Sequence, residues 1–299
     1  MWQPEPGWQP LPGGMGMSTA GVWLAQEDGR ELVVKRIAAP APDDPGELSI
    51  PTHFAWWRRP VEVAATGVVE TTPGLRSTPA VRIEEDVEGS TIWHEMVPAV
   101  ELTGPFVAGA LGRFTRADLG DHSWLAREQL AERLARTERR GGWRTLERTT
   151  VADVADRLWS RRGHYLEAVR SLPQLAQHGD PVPGNLPGRD DDAVLAVDWS
   201  TVGIGPVGGD LGYWSLQARE DFEVLLTAYV EGLPQGVSVE DARLGARVTA
   251  VYTAFSRAEW ALARVAGAPG ALAAKYRHPS VAPYLLSLQR QFPQIEALI

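Results

Sequence analysis

Three oxygen-bearing side chains cluster in one stretch of this 299-residue chain: Asp180 within His178-Gly179-Asp180, Asn185 just beyond it, and Asp198 ending the apolar run from Ala193 to Val197. Their types and spacing suit transfer of a phosphoryl group from ATP to a hydroxyl. That reaction leaves a protein mainly positioning and charge neutralisation to perform. Asp180 is placed to take the hydroxyl proton and orient the acceptor. Asn185 offers a hard oxygen to Mg2+, and Asp198 a carboxylate that bridges the ion to the phosphates. Magnesium usually takes one or two protein carboxylates together with substrate phosphate. The same residues have a plainer reading, a turn-rich loop whose Asp and Asn cap backbone groups, with Asp198 as a helix N-cap.

A second signal comes from residue usage. Of 29 basic residues only two are lysines, Lys35 and Lys275, in a chain rich in Ala, Gly and Pro. This pattern fits a coding bias that replaces lysine by arginine wherever chemistry permits. Lys35 nevertheless persists inside the apolar run Leu32-Val33-Val34-Lys35. A compact ammonium reaches a phosphate oxygen in a space too narrow for a planar guanidinium. Upstream lies the glycine-rich turn from Gly13 to Ser18, an ordinary loop or a phosphate cover by position alone.

The elements that must position these groups divide the chain in two. Residues 1–12 read as an irregular leader. Strands are expected at Gly21–Ala25 and Glu31–Ile37, joined by a turn at Asp28-Gly29, and again at Gly67–Val69 and Ala80–Ile83. A helical stretch is expected between Thr52 and Ala65. Beyond residue 89 helical periodicity dominates, over 101–118, 123–139, 151–171, 219–232, 239–267 and 281–291. The polar, Gly/Pro-rich stretch 177–192 and the short strand after it interrupt that pattern. The expected architecture is α+β and bilobal: a small β-rich lobe over 1–88, an acidic connector at 84–89, and a larger helical lobe over 89–299.

His178-Gly179-Asp180-Pro181-Val182-Pro183-Gly184-Asn185, with the later Asp198-Trp199, resembles the phosphotransferase enzyme family that includes aminoglycoside phosphotransferases and choline-type kinases. The likeness runs over nearly the whole chain and implies a protein-kinase-like fold binding ATP and Mg2+. It implies that Asp180 is catalytic, that Asn185 and Asp198 hold the metal, and that Lys35 meets the phosphates. By the same likeness Gly14, Gly16 and Ser18 cover the phosphates, and backbone groups near Glu85 and Val87 meet adenine. His178 supports the catalytic loop and Asp210 braces it. The family pairs its strand lysine with a helix glutamate, but Pro60 stands where that glutamate belongs. Proline is tolerated in a first helical turn and not in a helix interior. A helix restarting near Pro60 would leave Glu62 in its first turn, as the partner of Lys35 or with the ion pair absent.

Composition narrows the function further. A net charge of −9 disfavours a nucleic-acid binder and would suit a cationic acceptor such as an aminoglycoside, while equally serving solubility. Asp210, Glu220, Asp221, Glu223, Glu231 and Glu259 are the acids available to such a substrate, and Trp214 and Trp260 the rings. The absence of cysteine excludes disulfides and thiol chemistry. With no long apolar run and no signal-like start, a soluble cytoplasmic protein is expected. The reading is an ATP-dependent O-phosphotransferase acting on a small hydroxylated, amine-bearing molecule. Its alternative is a nucleotide-binding module with little catalysis.

Overall fold

The computed structural model describes residues 2–11, 18–140, 152–266, 277 and 281–298. Gly14, Gly16 and Lys275 lie outside them. The small lobe is built on a five-stranded antiparallel sheet of order β1-β2-β3-β6-β5. Its strands are β1 (Gln9–Pro10), β2 (Thr19–Glu27), β3 (Arg30–Ala38), β5 (Ala80–Asp86) and β6 (Gly89–Glu95), with β4 (Leu75–Arg76) lying outside this sheet. Side chains on a strand alternate between faces. On β3 this turns Leu32, Val34 and Arg36 into one buried layer and leaves Val33 and Lys35 on the face that lines the cleft. Val22 of β2 sits opposite Lys35 in register and lines the same cleft.

Helix α1 (Arg59–Thr66) begins with Pro60 in its first turn, so the restart expected from the sequence is what forms. Gly67 ends it in the left-handed conformation that favours glycine, with its N–H bonded to the Val63 carbonyl. That cap replaces the strand expected at Gly67–Val69: the chain turns there and drops Val69 into the core.

A larger revision concerns the connector. Residues 84–89 do not join the lobes; Asp86 pairs with Gly89 across a tight hairpin between β5 and β6. Val87 at its tip is 98% exposed, and Glu85 is bonded through both carboxylate oxygens to Arg58 at 2.8 Å. The small lobe therefore runs through Glu95, and residues 96–103 cross to the helical lobe. Strand β6 escaped the sequence reading because most of its residues are buried, which erases the alternation that marks a half-buried strand.

The helical lobe contains α2 (Gly104–Phe114), α3 (Gln129–Arg139), α4 (Ala152–Arg170), α5 (Gly209–Trp214), α6 (Phe222–Gly232), α7 (Val239–Ala266), α8 (Ala282–Arg290) and α9 (Phe292–Glu296). The interrupting stretch folds as β7 (Gln174–Gln177), β8 (Gly188–Asp190), β9 (Ala193–Leu195) and β10 (Gly203–Pro206). Strands β7 and β10 pair antiparallel, and β4 of the small-lobe segment pairs parallel with β9. Helix α5 lies so close to α7 that a side chain at Gly212 would strike the Ala246 carbonyl. Among the described residues no helix is long and apolar enough to cross a membrane.

The lobes are joined by a cation. Arg59, at the start of α1, is fully buried and donates to five backbone carbonyls: Pro51, His53, Phe54, Trp124 and Ser200. Burial pulls its guanidinium down to about 10, with Glu132 opposing the fall. Replacing it leaves several carbonyls unsatisfied in a dry interior. Arg59→Leu is expected to lower unfolding free energy by on the order of 4 kcal/mol, seen as a shifted urea midpoint.

Candidate active site

The loop after β7 is held from below by α5. Both oxygens of Asp210 accept backbone N–H groups, from His178 at 2.7 Å and from Gly179 at 2.9 Å. Burial pushes this carboxyl above its usual range, against the pull of His178 and of those N–H groups. His178 is itself buried; its Nε2 meets the Val197 carbonyl at 3.1 Å, and its Nδ1 meets the Asp180 N–H at 3.3 Å. One imidazole thus spaces the segment carrying Asp180 from the segment carrying Asp198.

Asn185 lies between them. Its Nδ2 donates to the Asp180 carbonyl at 2.9 Å and approaches Asp180 Oδ2 at 3.4 Å. Its own carbonyl accepts the Val197 N–H at 2.8 Å, which sets it beside Asp198. Asp198 adopts a left-handed backbone with φ of 59°, uncommon for a non-glycine residue, and precedes a short 3-10 turn over Trp199–Thr201. Its carboxylate makes no cap to that turn. Instead Oδ1 meets Lys35 Nζ at 2.6 Å, across the cleft. Burial would raise the Asp198 carboxyl, yet the Lys35 charge and hydrogen bond hold it below the ordinary carboxylate range.

Glu62 does not take the partner expected for it. Although it stands in the first turn of α1, its carboxylate binds Arg58 Nε at 2.8 Å, one helical turn back, while the ammonium of Lys35 goes to Asp198. An i,i+4 pair on its own helix is within closer reach than a lysine on the sheet.

Asn185 and Asp198 also form part of the wall between two cavities. One, of about 480 Å³, runs beneath the sheet and is lined by Val22, Val33, Lys35, Met96 and Val97. The other, of about 390 Å³, opens over the helical lobe toward Asp180 and Ser18. Both are bounded by Pro60, Asn185 and Asp198. An amide and a carboxylate at that junction fit magnesium, whose remaining oxygens come from phosphate and water.

Several residues at the second cavity had no distinctive local motif. Arg257 of α7 donates to Asp180 Oδ1 at 2.8 Å and to the Tyr213 hydroxyl. Burial, with the Asp180 charge beside it, pushes the Tyr213 phenol up to about 12, so it stays neutral. The acids expected to greet a cation are engaged elsewhere: Asp210 under the loop, Glu220 on the Gly104 N–H, and Glu223 on Arg243. Asp221 begins α6, Glu231 is exposed near its end, and Glu259 is buried behind Arg140. Trp214 is core, donating to the Gly104 carbonyl, whereas Trp260 does line the cavity.

The sequence matches the phosphotransferase enzyme family over residues 8–237. The chain belongs to that family. It is a small-molecule phosphotransferase with the bilobal, protein-kinase-like fold. Choline kinase LicA from Streptococcus pneumoniae superposes with a TM-score of 0.59 at 14% identity, covering 97% of this chain and 93% of that one. Macrolide 2'-phosphotransferase MphH from Brachybacterium faecium gives 0.53 at 17%, covering 93% and 91%. The GDP complex of wild-type aminoglycoside 2'-phosphotransferase-IIIa gives 0.57 at 10%, covering 98% and 93%. No curated protein matches the chain in sequence.

Three substitutions test this geometry. In Asp210→Asn an amide N–H₂ confronts one of the two loop N–H groups, so stability should fall by on the order of 2 kcal/mol. Turnover should fall roughly tenfold or more as the loop shifts, read by melting and by kcat. Glu62→Ala, by contrast, removes a half-exposed pair and should change turnover by less than about threefold. Lys35→Met should cost about a hundredfold in the same assay.

Proposed function

We propose that this enzyme transfers the γ-phosphoryl group of ATP, with Mg2+, to a hydroxyl of a small molecule. The observation that carries this reading is the junction: two cavities meet at Asn185 and Asp198, with Lys35 on one side and Asp180 on the other. A donor nucleotide in the first and an acceptor alcohol in the second would meet there.

In this reading the adenine lies against Val22, Val33 and residues 96–99 of the connector, which take the role assigned from sequence to Glu85 and Val87. Lys35 would meet the phosphates in place of Asp198, and Asn185 and Asp198 are the residues that would hold the metal. Magnesium, when bound, spreads the negative charge of the phosphates. Ser18 borders the acceptor cavity near the point of transfer. Asp180 orients the acceptor hydroxyl and takes its proton while the oxygen attacks the γ-phosphorus. The bond from that phosphorus to the β–γ bridging oxygen breaks, and ADP departs. His178 and Asp210 contribute by holding the loop. Gly14 and Gly16 remain assigned to the phosphate cover by their position in the sequence alone.

A nucleotide-binding module with little catalysis drew its support from Pro60. The proline sits in the first turn of α1, but Glu62 pairs with Arg58 and Lys35 with Asp198, so the lysine–glutamate pair is absent among the described residues and that absence is what favours such a module. An antibiotic-inactivating role belongs to the same proposal only insofar as an aminoglycoside is the acceptor.

Asp180→Asn is expected to reduce phosphoryl transfer by about a thousandfold while keeping the melting shift that Mg-ATP produces. Mass spectrometry of the acceptor after incubation with Mg-ATP reads the first effect, and a thermal melt reads the second. Equal turnover by the mutant and the native protein would remove Asp180 from the mechanism.

A further inference from the structure

The acceptor cavity is lined with guanidinium groups. Arg133, Arg136 and Arg140 come from α3 and the residue that caps it, spaced three and four apart so that they share one face, and Arg257 comes from α7. Against these four the described lining has two carboxylates, Asp180 and Asp198.

The arrangement is ordered. Arg136 and Arg133 lie over the Phe54 ring at 4.6 and 5.1 Å. Arg133 and Arg257 lie by the Tyr213 ring at 5.4 and 5.5 Å. A file of alternating cations and rings thus leads from α3 to Asp180, with each planar group held by a neighbour.

Most of these charges are answered. Glu47 binds Arg136 at 2.7 Å, and Arg139 as well; Glu259 stands 3.9 Å from Arg140; Asp180 takes Arg257; and Lys35 takes Asp198. Arg133 differs. Among the described residues it donates to the Gly179 carbonyl at 3.0 Å and has no carboxylate partner. A cationic acceptor would sit beside Arg133 and compete with Arg257 for Asp180. An anionic acceptor would find on the cavity wall a guanidinium with no carboxylate to displace, bonded to the loop that carries Asp180.

We propose that the acceptor is an anion, a small alcohol that also carries a carboxylate or phosphoryl group, held by Arg133 with Arg257 so that its hydroxyl meets Asp180. This rests on the kinase reading above and replaces the amine-bearing acceptor with the opposite charge. Release of Asp180 by Arg257 then accompanies acceptor binding: the guanidinium turns to the incoming anion and frees the carboxylate for the hydroxyl.

The test pairs two sets of alcohols with Mg-ATP. The anions are glycerate and gluconate, which carry carboxylates, and glycerol 3-phosphate and glucose 6-phosphate, which carry phosphoryl groups. The cations are choline, ethanolamine and kanamycin. Product is read by mass spectrometry, and the melting shift each alcohol adds is read on protein saturated with a non-hydrolysable Mg-ATP analogue. Phosphorylated product and an added melting shift are expected from at least one anion and from no cation, and the reacting subset tells carboxylate from phosphoryl. For that anion Arg133→Gln should raise KM by about tenfold or more, with KM for ATP within about twofold, and Arg133→Lys should recover part of the loss. Product from a cation, or no shift from any of the four anions, overturns the anionic acceptor and leaves the kinase reading intact. An equal rise in KM for ATP also overturns it, by assigning Arg133 to the nucleotide. If the Mg-ATP analogue itself gives no melting shift, the kinase reading fails beneath it.

Discussion

A single buried guanidinium determines where everything else can sit. Arg59 begins α1 in the small lobe, yet its donors end on carbonyls of Trp124 and Ser200 in the helical lobe and of the 51–54 segment between β3 and α1. A buried charge is costly unless its hydrogen-bonding capacity is filled, so this cation tolerates little displacement. A helix N-terminus is a poor place for a positive charge, which makes the dense ring of carbonyl oxygens more necessary still. Ser200 lies two residues beyond Asp198. The clamp therefore sets the height of the small lobe above the very loop that faces Lys35.

With the lobes fixed, the site follows from a chain of short contacts. Asp210 holds the backbone of His178 and Gly179, His178 spaces that loop from Val197, and Asn185 joins the two from the side. Asp198 is left in a left-handed backbone that an aspartate accepts at some cost. The Lys35 ammonium and the Val197–Asn185 hydrogen bond keep it there. The product of this arrangement is a wall shared by two cavities, and an arginine-rich lining on the Asp180 side.

The sequence disclosed the parts of this site whose chemistry is written locally. Asp180, Asn185 and Asp198 fall within one short segment, and Lys35 stood out because lysine is so rare in this chain. The same bias hid the arginines. Where arginine serves as the general-purpose cation, an arginine at helical spacing looks like solvated surface, and Arg133, Arg136, Arg140 and Arg257 carried no signal beyond their periodicity. Arg59 was hidden in the same way. The connector was misplaced for a related reason: the acidic run Glu84–Glu88 has the composition of a loop between lobes, but also of an exposed hairpin turn.

Periodicity, punctuation and motif spacing thus determined the two-lobe plan, most of the helices, the restart of α1 at Pro60, and the grouping of Asp180, Asn185 and Asp198 in one segment. All are properties of neighbours along the chain, where the backbone itself sets the distances. Tertiary structure alone decided that Lys35 meets Asp198 and not Glu62, that β6 belongs to the small lobe, and that Arg257 reaches Asp180. Those choices join residues far apart in sequence, and each was settled by which oppositely charged or hydrogen-bonding group the packed lobes brought within about 3 Å.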